Sequence, residues 1–171
     1  MPVSTVLNIH AHDRPGIMSR VSYVIKEHGA NWMESRMARL AGQFAGIVRV
    51  ETESDALPAL SSALTALAEE GIHVHILDEG DLSDYPYTRC MKIDIHGNDR
   101  PGIVSQLTQA ISAAGANIEE LNTAIQSAAM AGHAVFHASG TVCLPDSMEN
   151  DDLILAVENL SDDMSVEISD L

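Results

Sequence analysis

The feature that most constrains this chain is that it repeats itself. Asp13-Arg14-Pro15-Gly16-Ile17 returns 86 residues later as Asp99-Arg100-Pro101-Gly102-Ile103. Gly29-Ala30-Asn31 returns at the same spacing as Gly115-Ala116-Asn117, and Ile9, His10, Ser19 and Glu34 return as Ile95, His96, Ser105 and Glu120. Near the end the best match, Val74-His75-Ile76 with Val166-Glu167-Ile168, is 92 residues apart, so the second copy carries six more residues in its middle. Self-similarity at a fixed period means two copies of one supersecondary plan, of about 80 residues each. We expect domains at residues 1–82 and 87–171, with a linker at 83–86, where Ser83-Asp84-Tyr85-Pro86 breaks the pattern.

Each copy reads as strand, helix, strand, strand, helix, strand. Thr5 to His10 and Cys90 to His96 alternate apolar and polar residues with period two. A helix follows each Arg-Pro-Gly, with one apolar face formed by Ile17, Val21, Val24 and Ile25, then by Ile103, Leu107, Ala110 and Ile111. Asp13 and Asp99 stand where an N-cap belongs, and Gly29 and Gly115 where a left-handed C-terminal residue belongs. A hairpin around Ala41-Gly42-Gln43, a Leu57-Leu60-Leu64-Leu67 helix and a strand from Ile72 to Leu77 complete the first copy. The second copy's last helix is expected near Asp151 to Leu160. A βαββαβ order predicts an α+β fold: two ferredoxin-like sandwiches in tandem, each an antiparallel sheet with both helices on one face. Exposed sheet edges favour pairing, so the halves, or two chains as a homo-oligomer, are expected to pack side by side.

Charge removes several functions. The chain has 9 Lys and Arg against 25 Asp and Glu, a net charge of −16, and no cation after Arg100. Direct nucleic-acid binding needs clustered cations, and none cluster here. The uncharged stretch Leu121 to Pro145 contains Asn122, Gln126, His133, His137 and an Ala131-Gly132 turn signal. It reads as two buried strands rather than a membrane helix. Met1 to Ala11 has no basic n-region, and Cys90 and Cys143 form no CxxC pair, so the thiols are expected to be reduced in a cytoplasmic protein. No phosphate loop or nucleophile constellation is present, which argues against an enzyme, and no cofactor is expected. Glu119-Glu120, Asp151-Asp152 and Asp162-Asp163 read as solvated helix ends or loops.

Asp-Arg-Pro-Gly-Ile at the first strand-to-helix turn, with Gly-Ala-Asn entering the second strand 15 residues after the Gly in both copies, resembles the ACT domain. ACT domains are small regulatory modules that bind amino acids. The tandem pair, with Gly29-Ala30-Asn31 leading into Glu34 to Leu40, is similar to the glycine cleavage system transcriptional repressor group. The resemblance implies a non-catalytic, amino-acid-responsive regulator working through a DNA-binding activator. A regulatory subunit of an amino-acid-metabolism enzyme is the alternative.

The residues support ligand binding on their own account. A helix N-terminus suits a carboxylate, Arg14 and Arg100 offer forked donors, and Asp13 and Asp99 accept from an ammonium. The candidate ligand residues are therefore Asp13, Arg14, Pro15, Gly16, Ile17 and Asn31, with Asp99, Arg100, Pro101, Gly102, Ile103 and Asn117 in the second copy. Gly16 and Asn31 are separated by about 12 helical residues, ~18 Å, so one small ligand cannot touch both within one domain. The expectation is two composite sites, each pairing one domain's loop with the other's asparagine. Because Ser35 to Arg39 becomes Leu121 to Ile125, the two sites are expected to differ. Glycine or serine fits Ala- and Gly-lined surroundings best. A rival reading gathers His10, His12, His73 and His75 at one sheet edge around a metal such as zinc.

Overall fold

The computed structural model describes residues 1–78, 87–127 and 134–171; the expected linker and the Ala131-Gly132 turn lie outside them. The chain divides into two units, residues 1–82 and 83–171. The first runs β1 (Pro2–His12), α1 (Ile17–Glu27), β2 (Asn31–Leu40), β3 (Gln43–Glu53), α2 (Leu57–Ala66) with a 3-10 extension (Leu67–Glu70), and β4 (Ile72–Asp78). The second runs β5 (Tyr87–Asn98), α3 (Ile103–Ala113), β6 (Asn117–Ser127), β7 (Ala134–Pro145), α4 (Asn150–Glu158) and β8 (Ser165–Asp170). Each forms a four-stranded antiparallel sheet, ordered β2-β3-β1-β4 and β6-β7-β5-β8. Both are ferredoxin-like sandwiches.

Period-two alternation places one face of each sheet against the helices. In the first unit Leu7, Ile9 and Ala11 pack with Val48 and Val50 of β3, Ile17, Val21 and Ile25 of α1, and Leu60 and Leu64 of α2. Met91, Ile93 and Ile95 do the same with Ile103, Leu107 and Ile111 of α3 and Leu153 and Val157 of α4. Each fully buried Leu or Ile contributes about 1.5–3 kcal/mol relative to exposure. The opposite face of each sheet carries no helix and holds the polar half of the alternation: Asn8, His10 and His12 on β1, and Lys92, Asp94 and His96 on β5.

The repeat extends to irregularities. The β2–β3 ladder shifts register between Trp32 and Glu34, and the β6–β7 ladder shifts at the matching place, between Ile118 and Glu120. The six extra residues lie in one hairpin. Leu40 pairs with Gln43 across Ala41-Gly42, whose φ values of 49° and 78° make a tight I′-type turn. The matching pair in the second unit is Gln126 with Val135, so the added length falls between them.

Both first helices end as the sequence indicates. The Gly29 amide donates to the Lys26 carbonyl and the Ala30 amide to Ile25, and Gly115 and Ala116 repeat this with Ser112 and Ile111, a Schellman arrangement.

Three sequence expectations are corrected. Asp13 and Asp99 do not cap α1 and α3: the capping position is Gly16 or Gly102, at φ 92° and 85°, with no side-chain cap. Pro15-Gly16 and Pro101-Gly102 form a turn before the helix, which leaves the aspartate three residues upstream of that position. The stretch from Leu121 is not two buried strands: β6 is a mostly exposed edge strand, and β7 is buried on its helix-facing side. No helix among the described residues is long and apolar enough to cross a membrane. Cys90 and Cys143, expected as reduced thiols, are joined in a disulfide. They are direct register partners on β5 and β7, which their 53-residue separation conceals in the sequence. Their counterparts in the first unit, Ser4 and Glu51, are also register partners.

Candidate ligand-binding site

In the second unit the loop from Asp99 to Ile103 and the far half of β6 border a solvent-open cavity of about 490 Å³. It is lined by Asp99, Arg100, Gly102, Ile103, Val104, Thr123, Ala124, Ile125 and Phe136. That volume lies within the range of small-molecule sites, about 300–1,000 Å³. Its position follows from the elements. Gly102 takes the left-handed conformation that starts α3, and nothing lies within 4 Å of where a Cβ would stand. The requirement for glycine is therefore conformational, and it leaves the helix entrance uncovered. Register alternation turns Thr123 and Ile125 to the helix side, beside Phe136, which pairs with Ile125 across the ladder.

The polar groups are few. Arg100 donates from Nη2 to Gln106 Oε1 at 3.1 Å, and its Nη1 is 3.7 Å from Asp163 Oδ1. A guanidinium has five N–H donors, more than these contacts use. Asp163 in turn accepts the Asn98 amide at 2.5 Å and the Ser161 hydroxyl. These bonds, the Ser161 hydroxyl first and then the Asn98 amide, with a smaller contribution from Arg100, hold its carboxyl below the usual range. Asp163 is a fixed anion that keeps Arg100 beside the loop.

The same positions in the first unit are arranged differently. Arg14 donates to the carbonyl of Glu70, at the end of the 3-10 turn. The Glu70 carboxylate is gripped by Arg20, with Nη2 at 2.8 Å and Nε at 3.0 Å. Arg20 lowers the Glu70 carboxyl from its ordinary value, chiefly through these hydrogen bonds. On β2, Arg39 takes the place of Ile125, and its Nε lies 2.5 Å from Asp13 Oδ2. The first loop's aspartate and arginine are both engaged by their own domain.

Of the sequence candidates, the structure brings Asp99, Arg100, Gly102 and Ile103 to one cavity, with Pro101 in the turn between them. Asp13, Arg14, Pro15, Gly16 and Ile17 form the corresponding loop in the first unit, where Ile17 belongs to the core. Within its own unit each asparagine stands apart from the loop, as the helix length implies: Asn31 and Asn117 open β2 and β6 and pair with Glu51 and Cys143, at the end of each sheet remote from that unit's loop. Asn31 donates its amide to Met33 Sδ at 3.2 Å. Sequence reasoning missed Thr123, Ile125 and Phe136. The signal available was the exchange of Arg39 for Ile125, a charge replaced by an exposed apolar residue.

The expected histidine group is partly corrected. His10 stacks on His73 and His75, with ring centroids 4.9 and 5.7 Å apart. His12 instead shares a 3.0 Å hydrogen bond between its Nδ1 and Gln43 Nε2. Among the described residues, the trio of donors close enough for one ion is in the other unit: Asp94, His96 and His137.

Family models of the ACT domain match residues 5–76 and 88–167. Among solved structures, a protein of unknown function from Galdieria sulphuraria is 30% identical, with a TM-score of 0.82 over 100% of this chain and 99% of that one. The structure of a protein proposed to be a glycine cleavage system transcriptional repressor is 15% identical, with a TM-score of 0.71 over 100% of this chain and 99% of that one. No curated protein sequence matches.

Proposed function

Because the chain belongs to the ACT-domain family, with one domain in each half, we propose that it is a non-catalytic regulatory protein whose second domain binds a free amino acid. The observation that carries this is the cavity at the start of α3, which combines a cation, an anion and an apolar wall. The ligand's carboxylate meets Arg100 and the helix N-terminus, its ammonium meets Asp99, and its side chain lies toward Ile103, Ile125 and Phe136. The apolar lining favours an aliphatic side chain over the glycine or serine anticipated from the loops alone.

The reading extends to transcriptional regulation of the glycine cleavage type, exerted through contact with a DNA-binding protein. The whole-chain likeness to the repressor structure supports that fold plan, and the acidic balance suits a protein that does not touch phosphate. Regulation of an amino-acid-metabolism enzyme uses the same ligand site and differs only in the partner. The reading also places the protein in the cytoplasm, where a lasting Cys90–Cys143 bond is uncommon; free-thiol titration of freshly isolated protein tests that placement.

The functional test is a thermal-shift screen of the full chain against the free amino acids at millimolar concentration. Stabilisation by a subset of them is expected, since a ligand at 100 times its Kd adds about 2.7 kcal/mol. No shift with any amino acid contradicts the proposal.

A further inference from the structure

On the helix-free face of the second sheet, away from the ligand cavity, three metal-ligating side chains converge. Asp94 and His96 are two residues apart on β5 and so share a face. The antiparallel register sets His137 of β7 directly opposite His96. His137 Nε2 lies 2.9 Å from Asp94 Oδ2, and His96 Nδ1 lies 3.1 Å from Asp94 Oδ1. All three donor atoms are within 4.8 Å of one another. The two imidazoles stack with centroids 4.4 Å apart and 14° between their planes, and each reaches one oxygen of the carboxylate.

We propose that Asp94, His96 and His137 form a binding site for a divalent cation of the zinc class. Two imidazoles with one carboxylate are a donor set that suits zinc and its transition-metal neighbours and disfavours calcium or magnesium, which take mostly oxygen. Metal–ligand bonds of about 2.0–2.2 Å place neighbouring donors of a tetrahedron about 3.3 Å apart. The two His–Asp separations are within a few tenths of an ångström of that, and rotation about side-chain torsions closes the remainder. Asp94 and His137 are part-buried and His96 is exposed, so the trio is open to an ion from solvent. Glu167 of β8 stands directly across the ladder from Asp94, where its carboxylate can supply a fourth donor.

The first domain shows what the site requires. At the positions of Asp94 and His137 it has Asn8 and Ala45, the latter paired with His10 in the same register. Its histidine stack, His10 with His73 and His75, has no carboxylate in place of Asn8. The constellation is therefore particular to the second copy, built by two substitutions on a shared register.

The test is calorimetric titration of the chelator-treated full chain with Zn²⁺ alone in a weakly coordinating buffer. Wild-type protein is expected to bind, and His137→Ala and Asp94→Asn are each expected to weaken that binding at least about tenfold. His73→Ala is expected to change it less than twofold. Far-UV circular dichroism and metal-free melting confirm that the variants fold; Asp94→Asn keeps the side-chain shape and carries the test if His137→Ala does not fold. Absence of Zn²⁺ binding by the wild type, unchanged binding in both second-domain variants, or loss of binding in His73→Ala overturns the proposal.

Discussion

The two domains share a fold, a loop sequence and a β-bulge, yet among the described residues the loop aspartate is ion-paired within its own domain in the first copy and lines a cavity in the second. In the first domain Asp13 is tied to Arg39 and Arg14 to the Glu70 carbonyl, which Arg20 braces from the other side. In the second, Ile125 replaces Arg39 and is 63% exposed, and Gln106 replaces Arg20. The lesson is that a duplicated motif fixes backbone geometry, while the side chains facing it decide which contacts the loop makes. Under the proposed function, the exchange of Arg39 for Ile125 is the change that most separates a sensing copy from a bracing copy.

The largest expected effect breaks the comparison at the disulfide. Reduction, or Cys90→Ala with Cys143→Ala, removes a cross-link that closes a 53-residue separation. It is expected to destabilise the second domain by about 2–4 kcal/mol and to leave the first unchanged, as differential scanning calorimetry reads from two transitions. Next, Arg100→Ala removes the charge-assisted donor, worth about 1.5–3 kcal/mol, and is expected to weaken amino-acid binding about 10- to 100-fold by isothermal titration. Arg14→Ala, whose side chain is held by its own domain, is expected to change that affinity less than twofold.

A smaller effect sharpens the comparison from the other side. Arg39→Ile removes an exposed ion pair, so its stability cost is expected to be under about 1 kcal/mol. It also releases Asp13 and reproduces the apolar wall, and titration is expected to show a second equivalent of bound amino acid. The smallest effect is on pH. Glu70 and Asp163 both have depressed carboxyls in the folded protein. Their contribution is fully present above the ordinary carboxylate values of about 4 and is lost as the pH falls through the lower folded values. Acid titration followed by circular dichroism is expected to show that loss below pH ~4, reduced on the first-domain side by Glu70→Gln and on the second by Asp163→Asn.

Much of this was legible in the sequence because the repeat supplies its own control. Alternation in Met91, Ile93 and Ile95, the apolar faces of α1 and α3, and the glycine endings at Gly29 and Gly115 each occur twice, so local signals confirm one another. What was not legible depends on register. Cys90 meets Cys143, and His96 meets His137, only because β5 and β7 are antiparallel neighbours with one alignment. The six-residue insertion hid that alignment from simple offset counting. The N-cap was misplaced for a different reason: Asp followed by Arg-Pro-Gly looks like a cap, but the left-handed glycine starts the helix after the proline. Composition gives no indication of the cavity beside the loop, since Thr123, Ile125 and Phe136 are ordinary residues until the sheet brings them there.

The central claim, that the second domain's loop is the sensor, is tested most directly by mapping backbone amide shifts of the isotopically labelled full chain during titration with the amino acid that stabilises it most. The account predicts shifts concentrated at Asp99 to Gln106, Thr123 to Ile125 and Phe136, with the Asp13 to Ser19 loop unmoved. Shifts centred on the Asp13 loop, or none in either loop at saturating ligand, would contradict it.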